Sequence, residues 1–273
     1  MTLWEVYYTA TSLEDTLRLL AENADRARIV AGATDLVLEI KHGLRSPAVL
    51  IDVTRVGGLD EIRLDEDEVL HIGPMVSHAQ AAASPLLQER ALPLAQACWG
   101  VGAPQLRNRG TIAGNLVTAT PANDTIAALR ALDARLTLRS AEKERTVALA
   151  DFCTDVRCNI LAPDEMVVDI AFEALGENQR SVYQKLRPRK ALSLASVTIT
   201  VLLTLHRGKV TDARIAMGAV APIIVRAEDA EAALVGHGLT DERIAEAARL
   251  TTRATRPIDD VRGSAWFRDE EVV

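Results

Sequence analysis

The sequence has little of three features that would place a chain in a broad class of protein. Cysteine occurs only as Cys98, Cys153 and Cys158 in 273 residues, which excludes a disulfide framework and indicates a reducing compartment. Aromatic residues make up 3% of the chain, so an aliphatic core is expected. Basic residues are not in excess, because 31 Lys and Arg stand against 38 Asp and Glu, for a net charge of -7. We therefore expect neither nucleic acid nor an anionic membrane surface as a partner.

Long apolar runs are also missing. No stretch approaches the ~20 apolar residues of a membrane-spanning helix, and residues 1–20 lack the basic and apolar regions of a signal peptide. Together with the cysteine usage, this predicts a cytoplasmic protein with no membrane span. No CxxC pair is present. Although Cys153 and Cys158 could supply two ligands, a metal site needs more, and we expect buried or idle thiols and no metal site.

Enough apolar material is present for a sizeable core, since 48% of the residues are hydrophobic. Local patterns in the first 55 residues predict a small β–α–β unit. Ser12 is placed to cap a helix, and residues 27–30 and 49–53 have the composition of short buried strands. Thr34 is placed to cap a second helix over residues 35–42.

The rest of the chain divides at a polar segment, residues 176–180. Before it, apolar strand patterns alternate with helices that begin near Ser77 and Ser84. After it come a two-strand pattern and two amphipathic helices. We therefore expect an α+β protein made of residues 1–55, 56–175 and 176–273.

Two glycine-bearing segments carry the functional signal. The first is Ala31-Gly32-Ala33-Thr34-Asp35-Leu36, and the second is Arg107-Asn108-Arg109-Gly110-Thr111-Ile112-Ala113-Gly114-Asn115. Each offers backbone N–H groups beside small side chains, which lets a main chain approach a pyrophosphate. Neither is a GxGxxG motif, and each alone is more typical of an ordinary turn than of a ligand site. The pair predicts a dinucleotide site, with Asp124 available to accept a hydrogen bond from a ribose hydroxyl.

Both segments resemble motifs of one family, the FAD-binding subunits of molybdenum hydroxylases. The first is similar to that family's A-G-G-T-D-L loop and the second to its R-N-x-G-T-I-G-G-N segment. Further similarities follow in the same order along nearly the whole chain: Val49-Leu50-Ile51-Asp52-Val53, Ala127-Ala128-Leu129-Arg130-Ala131-Leu132-Asp133-Ala134, Tyr183-Gln184-Lys185-Leu186 and Asp259-Asp260-Val261-Arg262-Gly263-Ser264-Ala265. The family includes the medium subunits of carbon monoxide dehydrogenase, nicotinate dehydrogenase and bacterial xanthine dehydrogenase.

The resemblance implies an FAD-binding fold of the vanillyl-alcohol oxidase (PCMH) type. In that fold two α+β subdomains hold the cofactor, and a C-terminal α+β domain of the CO dehydrogenase flavoprotein type closes over it. Thr34 would donate a hydroxyl to the pyrophosphate, Thr118 would lie on the strand after the second segment, and Asp124 would bind ribose or ribityl hydroxyls. The implied FAD-binding residues are Ile29, Val30, Ala31, Gly32, Ala33, Thr34, Asp35, Leu36, Val101, Thr111, Ala113, Gly114, Asn115, Thr118, Asp124, Val167 and Lys185.

Two of these assignments have plain structural alternatives. Lys185 would lie near the isoalloxazine edge, where an ammonium stabilises the negative charge of reduced flavin. Alternatively, it is a solvated lysine in the basic stretch Lys185 to Lys190. Asp124 could serve as the N-cap of a helix that begins at Thr125. The two roles of Asp124 are compatible.

The chain departs from the family pattern in three places. Ala33 and Ala113 replace glycines, so a methyl group could crowd a phosphate or force φ away from positive values. We expect weaker or slightly shifted FAD binding, not its loss. A terminal helix is expected to be short or absent after Phe267. Three dispersed cysteines cannot supply four thiolates, so no iron–sulfur cluster is expected on this chain.

The predicted function is that of an electron-transfer flavoprotein, an oxidoreductase subunit with no catalytic side chain of its own. In the implied heterotrimer, a small [2Fe–2S] subunit delivers electrons and a large molybdopterin subunit hydroxylates the substrate. FAD then passes the electrons to NAD, a quinone or oxygen. One alternative is a stand-alone flavin oxidoreductase, although neither segment contains a His or Tyr to act as acid or base. The other is an FAD-free scaffold subunit, which only Ala33 and Ala113 support.

Overall fold

The computed structural model describes residues 3–189, 192–260 and 263–273. Helices and strands are mixed along the chain, which confirms the α+β class. The strands are β1 (Val6–Thr9), β2 (Ala27–Val30), β3 (Val49–Asp52), β4 (Ile62–Leu64), β5 (Val69–Ile72), β6 (Arg135–Arg139), β7 (Glu144–Ala148), β8 (Cys153–Asp155), β9 (Cys158–Asn159), β10 (Met166–Glu173), β11 (Gln179–Leu186), β12 (Val197–His206), β13 (Lys209–Gly218) and β14 (Val225–Arg226). The helices are α1 (Leu13–Asn23), α2 (Leu36–Lys41), α3 (His78–Ala83), α4 (Pro85–Arg90), α5 (Leu92–Gly100), α6 (Pro104–Arg107), α7 (Ile112–Thr118), α8 (Asp124–Ala131), α9 (Leu149–Phe152), α10 (Glu228–Leu234), α11 (Asp241–Thr251) and α12 (Ala265–Glu271).

The first sheet is parallel, in the order β1-β3-β2. Its central strand, β3, is buried on both faces. Val49 and Ile51 pack in the cluster that includes α1, whereas Leu50 packs with Ile40 of α2 on the other face. This two-sided burial explains the unbroken apolar run in the sequence. The predicted β–α–β unit is present, but it has a third strand, β1, that the sequence did not reveal.

The second sheet is antiparallel, in the order β4-β5-β10-β6-β7. Helix α8 packs against α5 and α7 and also against β12 and β13 of the third sheet. The largest apolar cluster therefore includes Leu202 and Ala216 together with the middle region. The middle and C-terminal parts of the chain therefore pack together through this cluster, and a second apolar cluster lies within the C-terminal part.

The third sheet is antiparallel, in the order β11-β12-β13-β14. The predicted β12–β13 hairpin is confirmed, and its turn residues Arg207 and Gly208 both have positive φ, 48° and 77°. Those angles suit a tight two-residue connection. Strand β11 was not predicted.

The terminal helix α12 is short and is capped by Ser264, whose hydroxyl accepts a hydrogen bond from the Phe267 amide. Val261 and Arg262 of the terminal motif and Lys190 of the basic stretch lie outside the described residues. Within the described ranges, no helix combines the length and apolar character that crossing a membrane requires.

Candidate functional site

The two glycine-bearing segments lie directly against each other. A Cβ placed on Gly32 would be 2.0 Å from the carbonyl oxygen of Arg109 and 2.8 Å from the Cα of Gly110. Both distances are far below normal contact, so residue 32 must be glycine for the two chains to pack in this way. Sequence segments about 77 positions apart thus form one wall, as the dinucleotide interpretation requires.

A groove made of two adjoining cavities runs past this contact. Each cavity has a volume of about 430 Å³, and Ala31, Met75 and Thr111 line both of them. The first cavity lies between the first and second sheets. The predicted residues that line it are Ile29, Ala31, Asp35, Leu36, Thr111, Ala113, Gly114, Thr118 and Val167. The second cavity is lined by Ala31, Thr54, Met75, Ser77, Ala79, Gln80, Asn108, Arg109 and Thr111.

Backbone donors without acceptors occur in both segments. Thr111 lines both cavities, and Asp35, Leu36 and Ala113 line the first, whereas Gly32, Ala33 and Thr34 line neither. Among the described residues, none accepts a hydrogen bond from the N–H groups of residues 32–36, or from those of Thr111 and Ala113. The Thr111 hydroxyl oxygen accepts from the Gly114 amide at 3.0 Å, which leaves its own O–H group to donate elsewhere. Amides without protein acceptors suit an anionic ligand such as a diphosphate. The residues present therefore fit the central part of a dinucleotide.

Ala33 shows how the first segment accommodates a missing glycine. Its φ is 60°, in the left-handed region that glycine favours. The expectation that alanine forces φ away from positive values is therefore wrong at this position. Thr34 does not cap the next helix either: Asp35 is the N-cap of α2 without a side-chain bond, and the Thr34 hydroxyl donates to the Asp35 carboxylate at 3.2 Å.

The second segment differs from the predicted open loop. Helix α7 begins at Ile112, so Ala113, Gly114 and Asn115 are helical and Thr118 ends a helix, not a strand. The Asn115 amide donates to the Thr111 carbonyl, and its side-chain oxygen accepts from Thr125 at 2.5 Å. Asn115 therefore supports α8 and lines neither cavity. Within this segment, the backbone N–H groups for which the described residues offer no acceptor are those of Thr111 and Ala113.

Asp124 and Lys185 form a buried ion pair. Lys185 Nζ donates to Asp124 Oδ2 at 2.7 Å and to the Gly100 carbonyl at 3.1 Å, and the Tyr183 hydroxyl donates to Asp124 Oδ1 at 3.0 Å. The two charged side chains are only 5% and 8% exposed. Lys185 is therefore not a solvated lysine, and Asp124 is not an N-cap, because Asn123 holds that position. Neither residue lines the two cavities, and Val101 does not line them either.

The surroundings of this pair determine its electrostatics. Burial raises the pKa of the Asp124 carboxyl, and the Lys185 ammonium limits that rise. Burial also raises the pKa of the Tyr183 hydroxyl well above its ordinary value, and the Asp124 carboxylate adds to the effect. The hydroxyl therefore keeps its proton and stays a donor. The pair ties β11 to the ends of α5 and α8.

His78 lies beneath the second segment, and its backbone N–H donates to the Gly110 carbonyl at 3.0 Å. The residue is 3% exposed, and its Nδ1 has no hydrogen-bond partner among the residues that the structure describes. Burial lowers the pKa of His78 to about 4, and the positive charge of Arg107 pushes in the same direction. The ring is therefore neutral at physiological pH.

Several residues of the first cavity were missed by sequence reasoning. The most informative lie on the β8–β9 hairpin, where Arg157 has a φ of 59° and turns the chain toward the cavity. Cys158, the next residue, also lines the cavity. Cys153, at the start of the hairpin, does not line it, and burial raises the pKa of its thiol to about 11. No local pattern marks this short hairpin. The other lining residues that were not predicted are Leu20, Asp25, Ala27, Arg28, Glu39, Arg45, Val53, Pro74, Met75, Val117, Asn159, Leu161, Ala162, Pro163, Glu165 and Met166.

Comparison with known proteins gives a consistent set of similarities. Residues 2–172 match the family described as FAD binding domain in molybdopterin dehydrogenase, and residues 181–273 match the CO dehydrogenase flavoprotein C-terminal domain. Over 266 residues the chain is 30% identical to the 6-hydroxypseudooxynicotine dehydrogenase complex subunit alpha of Paenarthrobacter nicotinovorans, covering 97% of this chain and 90% of the relative. Over 271 residues it is 30% identical to the nicotinate dehydrogenase FAD-subunit of Eubacterium barkeri, and the match covers 97% of this chain and 91% of that relative.

The fold comparison agrees with the sequence comparison. A chain of the carbon monoxide dehydrogenase from Hydrogenophaga pseudoflava that lacks the Mo-pyranopterin moiety of the molybdenum cofactor matches with a TM-score of 0.94. The two chains are 31% identical, and the match covers 98% of this chain and 93% of the other. Both parts of the chain are therefore similar, in the same arrangement, to a solved protein.

Proposed function

Because this chain belongs to the family of FAD-binding medium subunits of molybdenum hydroxylases, we propose that its groove holds one FAD and that the chain relays electrons within a larger complex. The observation that carries the proposal is the set of amides in the two adjoining segments for which the described residues offer no acceptor. A dinucleotide has a charged diphosphate between two ring systems, and Thr111, whose amide has no acceptor among the described residues, lines both of the adjoining cavities.

FAD supplies the redox chemistry, since it can take up and give out electrons one or two at a time. The protein binds and positions it. The amides of residues 32–36, Thr111 and Ala113 would hold the diphosphate, with the Thr111 hydroxyl as a further donor. Ile29, Leu36 and Val167 would form an apolar wall of the site. Asp35 and Thr118 would make polar contacts with the cofactor. Ala31 and Gly114 are small residues that would let the cofactor lie close to the backbone.

The remaining predicted residues would act from outside the groove. Val30 packs in the core beneath α2. Lys185 holds the Gly100 carbonyl, and Arg107 donates to the next carbonyl, that of Val101, at 2.9 Å. Asn108 and Arg109, which line the second cavity, follow directly. We propose that the Lys185–Asp124 pair positions this wall, and that Val101 and Asn115 support it from neighbouring elements.

The partners follow from the family. Relatives are named as subunits or medium chains of dehydrogenases, so partner subunits are expected. We propose a small [2Fe–2S] subunit as electron donor and a large molybdopterin subunit that hydroxylates the substrate. NAD, a quinone or oxygen would be the final acceptor. The described cysteines are free thiols, which supports a reducing, cytoplasmic location.

The test is to express the chain with the products of its neighbouring genes, purify the assembled complex and measure flavin after acid extraction. We expect one FAD per copy of this chain, and reduction of that FAD by the substrate only when all subunits are present. An assembled complex without flavin would show a scaffold subunit instead. Reduction of FAD in the isolated chain by an organic substrate would show a stand-alone oxidoreductase.

A further inference from the structure

An ion pair joins the two sides of the first cavity at its edge. Arg157 Nη1, on the β8–β9 hairpin, donates to Glu39 Oε1, on α2, at 2.8 Å. The two residues are 118 positions apart, and both line the cavity. The Glu39 side chain is 10% exposed, whereas that of Arg157 is 51% exposed. The pair therefore lies at the boundary between the cavity and solvent.

Each partner is fixed on its own side of the groove. The second oxygen of Glu39 accepts from Arg45 Nε at 2.5 Å, which holds the carboxylate within the N-terminal unit. On the other side, the Arg157 amide donates to the Ala119 carbonyl at 2.9 Å, and the Asn159 side chain donates to the Val117 carbonyl at 2.8 Å. The hairpin is thus attached to the end of α7.

No second polar side-chain bond between these parts is present in the described ranges. Between residues 3–55 and residues 56–175, the Glu39–Arg157 pair is the only side-chain hydrogen bond that the structure describes. The other contacts include the close packing of Gly32 on Arg109 and the apolar cluster that Met75 and Met166 share with α1. These contacts are backbone packing and apolar packing, so the ion pair is the polar connection that the structure describes between the two sides of the groove.

We propose that Glu39 and Arg157 form a clasp that retains FAD by holding the two sides of the groove together. The inference rests on the proposed FAD site. A ligand that enters or leaves the first cavity past this edge requires the two sides to separate, which breaks the pair. The clasp then slows FAD dissociation without contacting the reacting ring, so Glu39 and Arg157 are positioning residues.

The experiment measures the rate of FAD release from the assembled complex, followed by the rise of free-flavin fluorescence after dilution. R157Q and E39Q are each expected to release FAD about fivefold faster, as the loss of a partly exposed ion pair predicts. The double variant should release FAD no faster than the faster single variant, because both changes remove the same contact. Release from wild type should accelerate with ionic strength more than release from R157Q.

Two controls separate the clasp from general charge effects. R45Q removes the other arginine on Glu39 but leaves the connection across the groove, so its release rate should rise less than that of R157Q. R253Q breaks an exposed pair with Asp229 in the C-terminal part, and should release FAD at the wild-type rate. A wild-type rate in R157Q, additive effects in the double variant, or an equal effect of R45Q would each overturn the clasp. A wild-type complex without FAD would instead overturn the proposed function, and the clasp with it.

Discussion

Ala33 and Ala113 provide a matched pair of substitutions with opposite expected effects. Both replace a glycine of the family pattern, but the structure places them in different backbone conformations. Ala33 has a φ of 60°, whereas Ala113 lies in the first turn of α7 and is 6% exposed. Glycine should therefore relieve strain at position 33 and weaken the helix at position 113.

The magnitudes follow from these conformations. A left-handed alanine costs roughly 1–2 kcal/mol, and the greater freedom of glycine in the unfolded chain offsets about 0.4–1 kcal/mol of the gain. A33G should thus stabilise the chain by about 0.5–1 kcal/mol. In A113G, the lower helix preference of glycine costs about 0.5–1 kcal/mol, and the loss of a buried methyl group costs about 0.8 kcal/mol. A113G should therefore destabilise the chain by about 1–2 kcal/mol.

Thermal unfolding of the FAD-free chain measures both effects under the same conditions. A difference of 1 kcal/mol moves the midpoint by about 2–4 °C in a chain of about this size. A33G should melt above wild type and A113G below it. Because A33G keeps the backbone N–H proposed to hold the diphosphate and removes only a methyl group that lines neither cavity, it should change FAD affinity by less than about twofold. Destabilisation by A33G, or stabilisation by A113G, would refute this reasoning.

Three further predictions test other parts of the structure. The pKa of His78 is lowered by burial from 6.5 to about 4, so between these values the unfolded chain binds a proton that the folded chain does not. The folding stability should fall by up to about 3 kcal/mol as the pH drops through that range. In denaturant titrations at several pH values, H78Q should reduce this dependence of stability on pH. An unchanged pH dependence would count against the buried neutral ring. K185M leaves the Asp124 carboxylate buried without its cation and should cost about 3–5 kcal/mol of folding stability. K185M/D124N should recover much of that loss, whereas simple additivity in the cycle would contradict the ion pair. G32A places a methyl group 2.0 Å from the Arg109 carbonyl oxygen and should reduce the FAD content of the purified complex. G57A is the control, because a Cβ at that position has no atom within 4 Å, and it should leave the FAD content unchanged. Equal FAD content in both variants would disprove the close packing of the two segments.

Elements with a strong local signal were predictable from the sequence. The buried strand β3 has apolar side chains on both faces, and Ser77 forms the capping box that starts α3. Strand β1 gave no such signal, because all four of its residues are exposed and its pairing with β3 depends on a distant segment. Helix α7 has no clear helix signal either, because Gly110 and Gly114 are typical of a turn. Its start is instead set by the Thr111 cap.

The groove was predictable from the pair of glycine-bearing segments together with the family resemblance, but its details depend on contacts between distant residues. Asp124 and Lys185 are 61 positions apart, and nothing local indicates that each satisfies the other. Glu39 and Arg157 are farther apart still, and the hairpin that carries Arg157 is too short to give a strand pattern. The divisions at residues 55/56 and 175/176 stay predictions.

The most direct test of the central claim is an experimental structure of the assembled complex with FAD bound. The diphosphate oxygens should accept hydrogen bonds from backbone amides within residues 32–36 and from Thr111, with one ring system on each side of the contact between Gly32 and Arg109. A diphosphate held elsewhere, with these amides facing water, would contradict the account.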